Sequence, residues 1–316
     1  MIAIQENVPL APFTSLKIGG PARFFATAAN VEQLREALLF ARERGVPFAV
    51  LGGGSNLLVS DQGFQGLVLR LQMEQALVSG CEIEVEAGVD LNGLVQLTAQ
   101  WGLSGMESLA GIPGLVGGAL RGNAGAYGSS IGEVARTVRA FDAESLELLA
   151  LSREECAFSY RSSRFKLDPR LIVVSALLLL TPDDPETVRS RIEATIAKRT
   201  AKNLQCEKSV GSFFMNPVVT DQELIRRFEA DQKLHCRECR IPAGWLIDKS
   251  GLRNTRVGAA MVSALHANYL INSGAASAEE MVRLARLVKS RVREAMGVQL
   301  QEEVSCLGFQ VGQSEE

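Results

Sequence analysis

The chain contains the stretch Leu51-Gly-Gly-Gly-Ser-Asn-Leu-Leu58 and, further on, the longer stretch Gly111-Ile-Pro-Gly-Leu-Val-Gly-Gly-Ala-Leu-Arg-Gly-Asn-Ala-Gly-Ala-Tyr-Gly128. Glycine has no Cβ and adopts positive φ without strain, so the backbone N–H groups of such loops can approach a phosphate closely. Ser55 and Asn56 add side-chain donors to the first loop. Two loops of this kind predict a cradle for a large phosphorylated cofactor, and tight turns between strands are the alternative. The second loop is too poor in large apolar groups to be expected in a core.

Two common phosphate-binding motifs are absent. A dinucleotide-binding fingerprint needs G-x-G-x-x-G at the start of a helix, whereas Gly52-Gly-Gly54 is followed by the extended-looking segments Leu57–Ser60 and Gly66–Leu71. A P-loop needs Gly-Lys before Ser or Thr, and the chain has no Gly-Lys pair. We therefore do not expect a nucleoside triphosphatase.

The composition is that of an ordinary globular protein. The chain has 316 residues, of which 47% are hydrophobic and 22% charged, and this length allows two or three domains. A net charge of −3 argues against nucleic acid as a partner. The start Met1-Ile-Ala-Ile-Gln5 lacks the features of a secretory signal, and the apolar run Leu171–Leu180 is too short to span a membrane and predicts a buried strand. We expect a cytoplasmic protein with no membrane partner, and a monomer rather than an oligomer.

The cysteines and histidines give no strong metal signal. Six cysteines are scattered through a chain that is large enough to fold without disulfides, so reduced thiols are expected. His235-Cys-Arg-Glu-Cys239 contains one C-x-x-C, which a zinc or redox site could use, but no second pair stands at a suitable spacing. Only two histidines are present, which excludes a histidine-rich centre. No bound metal is expected.

Hydrophobic periodicity and capping residues predict a mixture of helices and strands. Helices are expected over residues 31–44, 91–102 and 185–202, after a capping box at Thr220 and Glu223, and from the capping box of Ser277 and Glu280 to Gly297. Strands are expected at Phe48–Leu51, Val68–Leu71, Glu82–Glu86, Val138–Asp142, Leu171–Leu180 and Val298–Phe309. The glycine loops then follow strand ends, where ligand-binding loops are common.

Five motifs in this order carry a family resemblance. Besides the two glycine loops they are Tyr160-Arg-Ser-Ser-Arg-Phe165, Gly211-Ser-Phe-Phe-Met-Asn-Pro217 and Gly244-Trp-Leu-Ile-Asp248. Together they resemble the UDP-N-acetylenolpyruvoylglucosamine reductase family from about Phe13 to Gly308. The connection between Arg161 and Ser212 is short, which resembles the compact subgroup of that family.

The resemblance implies an α+β fold. It consists of a two-part FAD-binding region of the PCMH/vanillyl-alcohol-oxidase type and a smaller α/β substrate-binding domain. The implied domains are residues 1–65 and 66–200 for FAD, with a connecting helix over 185–202, and residues 203–316 for the UDP-sugar.

The resemblance also implies an activity. NADPH as co-substrate reduces the FAD, which then reduces UDP-N-acetylglucosamine enolpyruvate to UDP-N-acetylmuramate for peptidoglycan synthesis. FAD is expected to be bound without a covalent link.

The same resemblance assigns catalytic roles to Arg161, Ser212 and Glu303. Arg161 would support the developing enolate, Ser212 would protonate the carbon next to the carboxylate, and Glu303 would hydrogen-bond the enediolate if it is protonated. Without the resemblance, Arg161 would be read as a surface arginine, Ser212 as part of an ordinary turn, and Glu303 as a solvated charge beside Glu302. Sequence spacing does not establish that the three meet.

Binding residues follow from the matched motifs. The residues implied to bind the cofactor are Leu51, Gly52, Gly53, Gly54, Ser55, Asn56, Leu57, Gly111, Ile112, Pro113, Gly114, Gly117, Gly118, Asn123, Gly125, Ala126, Tyr127 and Gly128. Those implied to bind the substrate are Tyr160, Asn216 and Arg240. Met215 stands where many members carry a basic residue, so we expect Arg240 to contact the substrate diphosphate in its place. Gln301-Glu302 and Ser305 also depart from the family pattern around Glu303.

Two other functions remain open from the sequence. One is a different FAD-linked oxidoreductase of the same wider fold, acting on a different hydroxylated or sugar substrate. The other is a flavin-binding homologue without enzymatic activity.

Overall fold

The structure is a computed structural model that describes residues 2–201 and 207–309. Its strands are β1 (Ile4–Pro9), β2 (Pro21–Ala28), β3 (Phe48–Leu51), β4 (Leu57–Val59), β5 (Phe64–Leu71), β6 (Ala76–Ser79), β7 (Glu82–Glu86), β8 (Leu103–Ser104), β9 (Gly125–Ala126), β10 (Ser129–Ser130), β11 (Ala135–Asp142), β12 (Glu147–Ser152), β13 (Leu171–Leu179), β14 (Thr181–Pro182), β15 (Arg256–Val257), β16 (Ala260–Val262), β17 (Leu270–Asn272) and β18 (Ser305–Leu307). Its helices are α1 (Val31–Glu43), α2 (Leu91–Gln100), α3 (Val116–Arg121), α4 (Ile131–Val134), α5 (Arg164–Leu167), α6 (Pro185–Thr200), α7 (Gln222–Gln232), α8 (Ala243–Lys249) and α9 (Ala278–Met296).

The described chain divides into two compact units. The first contains residues 2–8, 22–54 and 65–201, and the second contains residues 9–21, 55–64 and 207–309. Each unit is therefore built from segments that are not continuous in sequence. The division of the chain at residues 65 and 200 into three domains stays a prediction.

The first unit contains two main sheets. One has the strand order β1-β2-β5-β3, in which β3 and β5 run parallel, and the other is antiparallel with the order β12-β11-β13-β7-β6. Helix α1 is capped by Asn30, whose side chain accepts a hydrogen bond from the Gln33 N–H. The helix buries Leu34, Leu38 and Ala41 on one face because these residues recur at helical spacing.

Strand β13 confirms the prediction of a buried strand. It lies between β11 and β7, and residues 171–176 are all buried. A strand that is covered on both faces needs a continuous apolar run rather than an alternating pattern. Burial on both faces explains why residues 171–180 are apolar enough to resemble part of a membrane span. Across the described ranges, no helix is both long and apolar enough to span a bilayer.

The second unit is organised around α9. This helix packs on the antiparallel sheet β15-β16-β17 and on α8, and it buries Met281, Leu284 and Val288. Its capping box of Ser277 and Glu280 is present, and it ends at Gly297 with a φ of 66°, both as predicted.

Residues 55–64 contact both a strand and a helix of the second unit. Strand β4 pairs in parallel with β18, and Leu57 lies opposite Ser305. The Asp61 carboxylate accepts hydrogen bonds from the N–H groups of Ala278 and Glu279 at 2.8 and 3.1 Å, at the positive end of the α9 dipole. This short segment thus both pairs with a strand and caps a helix of the second unit.

The structure differs from the predicted elements at two places. Helix α7 is capped by Asp221, which accepts from the N–H groups of Glu223 and Leu224, so the predicted capping box at Thr220 is wrong. The predicted strand Val298–Phe309 is reduced to β18, because residues 301–303 instead pair with the segment that follows Ser212. The predicted helix end at Lys202 lies outside the described residues.

Candidate active site

The two glycine loops meet in the first unit. A Cβ added to Gly53 would lie 2.9 Å from the Gly114 Cα, so the backbones touch at a distance that side chains would prevent. Helix α2 supports the second loop, because the Leu91 N–H donates to the Gly114 carbonyl and the Asn92 side chain accepts from the Gly111 N–H at 2.6 Å. The first loop continues into the second unit, which begins again at Ser55.

The second glycine loop is partly helical. Helix α3 occupies its middle, and Val116 and Leu120 are fully buried, so the expectation that the loop supplies no core residues is wrong. Asn123 is buried; its side chain donates to the Ser159 carbonyl at 2.8 Å and accepts from the Gly132 N–H at 3.0 Å. These bonds show that Asn123 shapes the loop.

Arg161 lies in the first unit on a tight turn, with a φ of 55°. Ser159 and Ser162 exchange two backbone hydrogen bonds across this turn. A non-glycine residue in this conformation costs about 1–3 kcal/mol and persists only where its surroundings impose it. The Arg161 Nη2 donates to the Gly125 carbonyl at 2.9 Å, and its Cζ lies 5.2 Å from the centroid of the Tyr160 ring. The turn therefore directs the predicted catalytic arginine at the second glycine loop.

Ser212 and Glu303 are brought close together in the second unit. The Glu303 N–H donates to the carbonyl of Phe213, the residue after Ser212, at 2.8 Å. Phe214 and Glu302 form an antiparallel bridge beside it. Two predicted catalytic residues that are distant in sequence thus lie on neighbouring backbone segments.

The first glycine loop joins this arrangement. The Asn56 side-chain amide donates to the Glu303 carbonyl at 3.1 Å, and the Asn56 carbonyl accepts from the Ser305 N–H at 3.1 Å. Glu302, the other member of the glutamate pair, forms an ion pair with Lys289 at 3.0 Å. Asn56 therefore links a predicted cofactor loop to the backbone of a predicted catalytic residue.

Two of the predicted substrate-binding residues contact each other. The Arg240 Nη1 donates to the Asn216 carbonyl at 3.1 Å, and the Asn216 side chain accepts from the Ala243 N–H at 3.0 Å at the start of α8. Both lie in the second unit, whereas Tyr160 lies in the first. The Cys236 thiol lies beside the same loop, with its Sγ 3.4 Å from the Arg240 carbonyl oxygen. Within residues 2–201 and 207–309, no three His, Cys, Asp or Glu side chains are grouped to hold a metal ion.

Sequence reasoning missed two residues near the predicted site. Asn268 is almost fully buried and makes three hydrogen bonds to the two residues after Ser212. Arg199 lies against the second glycine loop, with its Cζ 5.6 Å from the centroid of the Tyr127 ring. The Arg199 Nε is buried and has no hydrogen-bond partner in the part of the chain that the structure describes. Neither residue belongs to a glycine-rich motif, so local sequence gave no signal for them.

Comparisons with known proteins show which family the chain belongs to. A family model for the UDP-N-acetylenolpyruvoylglucosamine reductase C-terminal domain matches residues 186–307, and one for an FAD binding domain matches residues 22–149. A reductase of that name from Geobacter metallireducens is 39% identical over 308 residues, which cover 96% of this chain and 94% of the relative. The chain belongs to the UDP-N-acetylenolpyruvoylglucosamine reductase family.

Other members of the family agree in sequence and in fold. The reductase from Solibacter usitatus is 36% identical and covers 97% of each chain. The crystal structure of the reductase from Thermus caldophilus is 33% identical, has a TM-score of 0.77, and covers 97% of this chain and all of that one. The α+β fold with an FAD-binding region followed by the reductase C-terminal domain is confirmed. The chain is a flavin-dependent oxidoreductase of peptidoglycan precursor synthesis.

The residues present fit FAD. A Cβ added to Gly52 or Gly118 would meet no atom within 4 Å, so both loops offer bare backbone on an open side. The buried Arg199 Nε next to the second loop is a cationic donor that suits an anionic group such as a pyrophosphate.

Proposed function

We propose that this chain reduces UDP-N-acetylglucosamine enolpyruvate to UDP-N-acetylmuramate, with NADPH as the reductant and FAD held without a covalent link. The observation that carries this proposal is the pairing of Glu303 with the backbone next to Ser212. Family membership alone gives the reaction class. This pairing supports Ser212 as the acid and Glu303 as the carboxyl group beside it.

The reaction needs stabilisation of negative charge and then a proton. The carbon–carbon double bond of the substrate is conjugated to a carboxylate, so addition of hydride to the terminal carbon leaves an enolate. Arg161 has a permanently charged guanidinium and is proposed to stabilise that enolate. The Ser212 hydroxyl is proposed to give its proton to the carbon next to the carboxylate, which completes the addition of one hydride and one proton. Glu303 is proposed to hydrogen-bond the enediolate oxygen.

The glycine loops are proposed to hold the cofactor. Backbone groups within residues 51–57 and 111–128 would contact it, with Ser55, Asn56 and Arg199 as side-chain donors. When bound, FAD supplies two-electron hydride chemistry that no amino-acid side chain provides. The residues of this chain then have to orient the substrate, exclude water and deliver the proton.

Arg240 and Asn216 are proposed to bind the substrate diphosphate. The hydrogen bond from Arg240 to the Asn216 carbonyl holds the guanidinium against the loop that follows Ser212. A guanidinium that is fixed in this way can bind a phosphate through charge-assisted hydrogen bonds. Because the diphosphate and the enolpyruvyl group belong to one molecule, binding the diphosphate would also hold the enolpyruvyl group beside Ser212.

The proposal is tested by NADPH consumption, followed by absorbance, with and without the enolpyruvyl sugar. We expect rapid consumption only in the presence of the sugar, and UDP-N-acetylmuramate as the product by mass spectrometry. A yellow protein that does not consume NADPH with the sugar would instead be a flavin-binding homologue without this activity. Consumption with another acceptor but not with this sugar would point to a different oxidoreductase.

A further inference from the structure

The segment that carries Ser212 belongs to no helix or regular strand, and Asn268 binds one edge of it. The backbone carbonyl of Asn268 accepts a hydrogen bond from the Phe213 N–H at 2.8 Å. The Asn268 side chain accepts from the Phe214 N–H at 3.0 Å and donates to the Phe214 carbonyl at 2.8 Å. Asn268 is 2% exposed. Its amide thus replaces a missing neighbouring strand beside the serine.

The opposite edge of the same segment is paired as well. The Phe213 carbonyl accepts from the Glu303 N–H, and the Met215 N–H donates to the Gln301 carbonyl at 2.9 Å. All four backbone polar groups of Phe213 and Phe214 therefore have partners, three of them supplied by Asn268. The Phe213 N–H and the Ser212 carbonyl lie in one peptide plane. These bonds therefore also fix the orientation of the Ser212 backbone.

The chemistry requires an amide at this position. The Phe214 N–H needs an acceptor and the Phe214 carbonyl needs a donor, and asparagine supplies both from one short side chain. An aspartate has the same shape, but when it is ionised it cannot donate. A buried pair of backbone groups left without partners destabilises that backbone conformation.

We propose that Asn268 is a positioning residue for proton transfer, in which its side-chain amide fixes the backbone that carries the Ser212 hydroxyl. This inference rests on the proposed function, in which Ser212 is the proton donor. Asn268 acts through the Phe214 backbone and needs no contact with the substrate. Its loss should therefore affect the step that uses the Ser212 proton and leave flavin reduction by NADPH unchanged.

The chain offers a matched control for the loss of a buried amide that has only a structural role. Asn272 is 6% exposed and also binds backbone groups with its side chain: it donates to the Leu16 carbonyl and accepts from the Gly274 and Ala276 N–H groups. Asn272→Ala removes a similar buried amide from the same unit, but this amide does not bind the segment after Ser212.

The experiment compares Asn268→Asp, Asn268→Ala and Asn272→Ala by stopped-flow absorbance of the flavin under anaerobic conditions. In both Asn268 variants we expect bleaching by NADPH within about 2-fold of wild type, and reoxidation by the enolpyruvyl sugar slowed about 10- to 100-fold, as is typical of a misplaced catalytic group. The solvent deuterium isotope effect on reoxidation should rise. Asn272→Ala should show neither change.

A double variant tests whether Asn268 acts through Ser212. Ser212→Ala with Asn268→Ala should be reoxidised no more slowly than Ser212→Ala alone, because the group that Asn268 positions is already gone. Wild-type reoxidation rates in both Asn268 variants, or equal slowing by Asn268→Ala with and without Ser212, would overturn the inference alone. Failure of both Asn268 variants to fold would assign the residue to the fold and also overturn it. Wild-type protein that the sugar does not reoxidise would overturn the proposed function, and this inference with it.

Discussion

A serine hydroxyl is a weak acid, so for Ser212 as the proposed proton donor, position matters more than acidity. The enolate carbon is strongly basic, and a donor held in place can transfer its proton without a lowered pKa. The backbone bonds on both sides of residues 213–214 provide such a fixed position. In the proposed mechanism the backbone supplies rigidity and the side chain supplies the proton, so the proposed role of Ser212 can be tested separately.

We predict that Ser212→Ala is defective in the second half-reaction only. The variant should bind FAD and be bleached by NADPH normally, but its reoxidation by the sugar should slow by about 10²- to 10⁴-fold, or about 3–5 kcal/mol of barrier. Stopped-flow flavin absorbance resolves the two steps. Equal slowing of both, or reoxidation at the wild-type rate, would show that Ser212 is not the acid.

Arg240→Ala should weaken substrate binding. Loss of a charged donor to the diphosphate should raise the KM for the sugar about 10- to 100-fold, while flavin reduction by NADPH stays intact. Arg237→Ala is the matched control, because it removes an exposed arginine from the same turn. An unchanged KM in Arg240→Ala would mean that other residues bind the diphosphate.

Among the elements, the paired glycine loops give the clearest test of where FAD binds. Gly53→Ala places a methyl group against Gly114, so it should lower both the thermal stability of the apoprotein and its affinity for FAD. Gly118→Ala adds a methyl group to α3 where nothing lies within 4 Å, and alanine is favoured over glycine in a helix by up to about 1 kcal/mol. This variant should keep or gain apoprotein stability and still bind FAD more weakly.

Calorimetry of the apoproteins and flavin-fluorescence titration measure these two effects separately. Gly274→Ala serves as a control, because a Cβ there also meets nothing within 4 Å and the position lies outside both loops. If Gly118→Ala binds FAD as tightly as wild type, the cofactor does not lie against that face of the loop.

The contact between α7 and α8 predicts a pH dependence of stability. The Lys249 ammonium and the Trp245 indole N–H donate to the Asp231 carboxylate and hold its pKa well below its ordinary value. A pKa that is lower in the folded state contributes stability above the unfolded value of about 4, and this contribution is lost as the pH falls below it. Asp231→Asn should therefore unfold at lower urea concentration than wild type at pH 7, and the difference should shrink towards pH 3.

Glu294→Gln provides the comparison for that experiment. It removes an exposed ion pair with Arg291 on α9, and such surface pairs contribute little. Its urea midpoint should match wild type at both pH values. A difference between Asp231→Asn and wild type that stays constant with pH would mean that the ion pair with Lys249 is not its source.

Most elements could be predicted because their signals are local. Asn30, Asp184 and Ser277 cap helices that begin where the sequence indicates, and Gly297 ends α9 as expected. The residues near Glu303 could not be predicted in this way. Their alternation suggests a strand, but their partner is the segment after Ser212, and no local pattern encodes a pairing between such distant residues.

For the molecule as a whole, the family resemblance predicted the fold class, but the place of a short segment in the sequence does not show which core it joins. Leu16 and Leu58 are buried with Phe213 and Leu284 in the core of the second unit, although both precede most of the first unit in sequence. A short apolar segment carries no mark of the core that it joins. The partners of β4 and Asp61 show that residues 55–64 belong to the second unit.

The whole-molecule prediction is that FAD is released without breaking a covalent bond. Covalent attachment needs a nucleophilic side chain, and no histidine precedes His235. Cys156 is buried, and burial raises the pKa of its thiol to about 11, so it stays protonated and unreactive at neutral pH. Acid precipitation should therefore leave all the yellow colour in the supernatant, and FAD added to apoprotein at about 100 times its Kd should restore about 2.7 kcal/mol of stability. Colour retained in the pellet would contradict this prediction, and its loss in Cys81→Ala or Cys156→Ala would identify the attachment site.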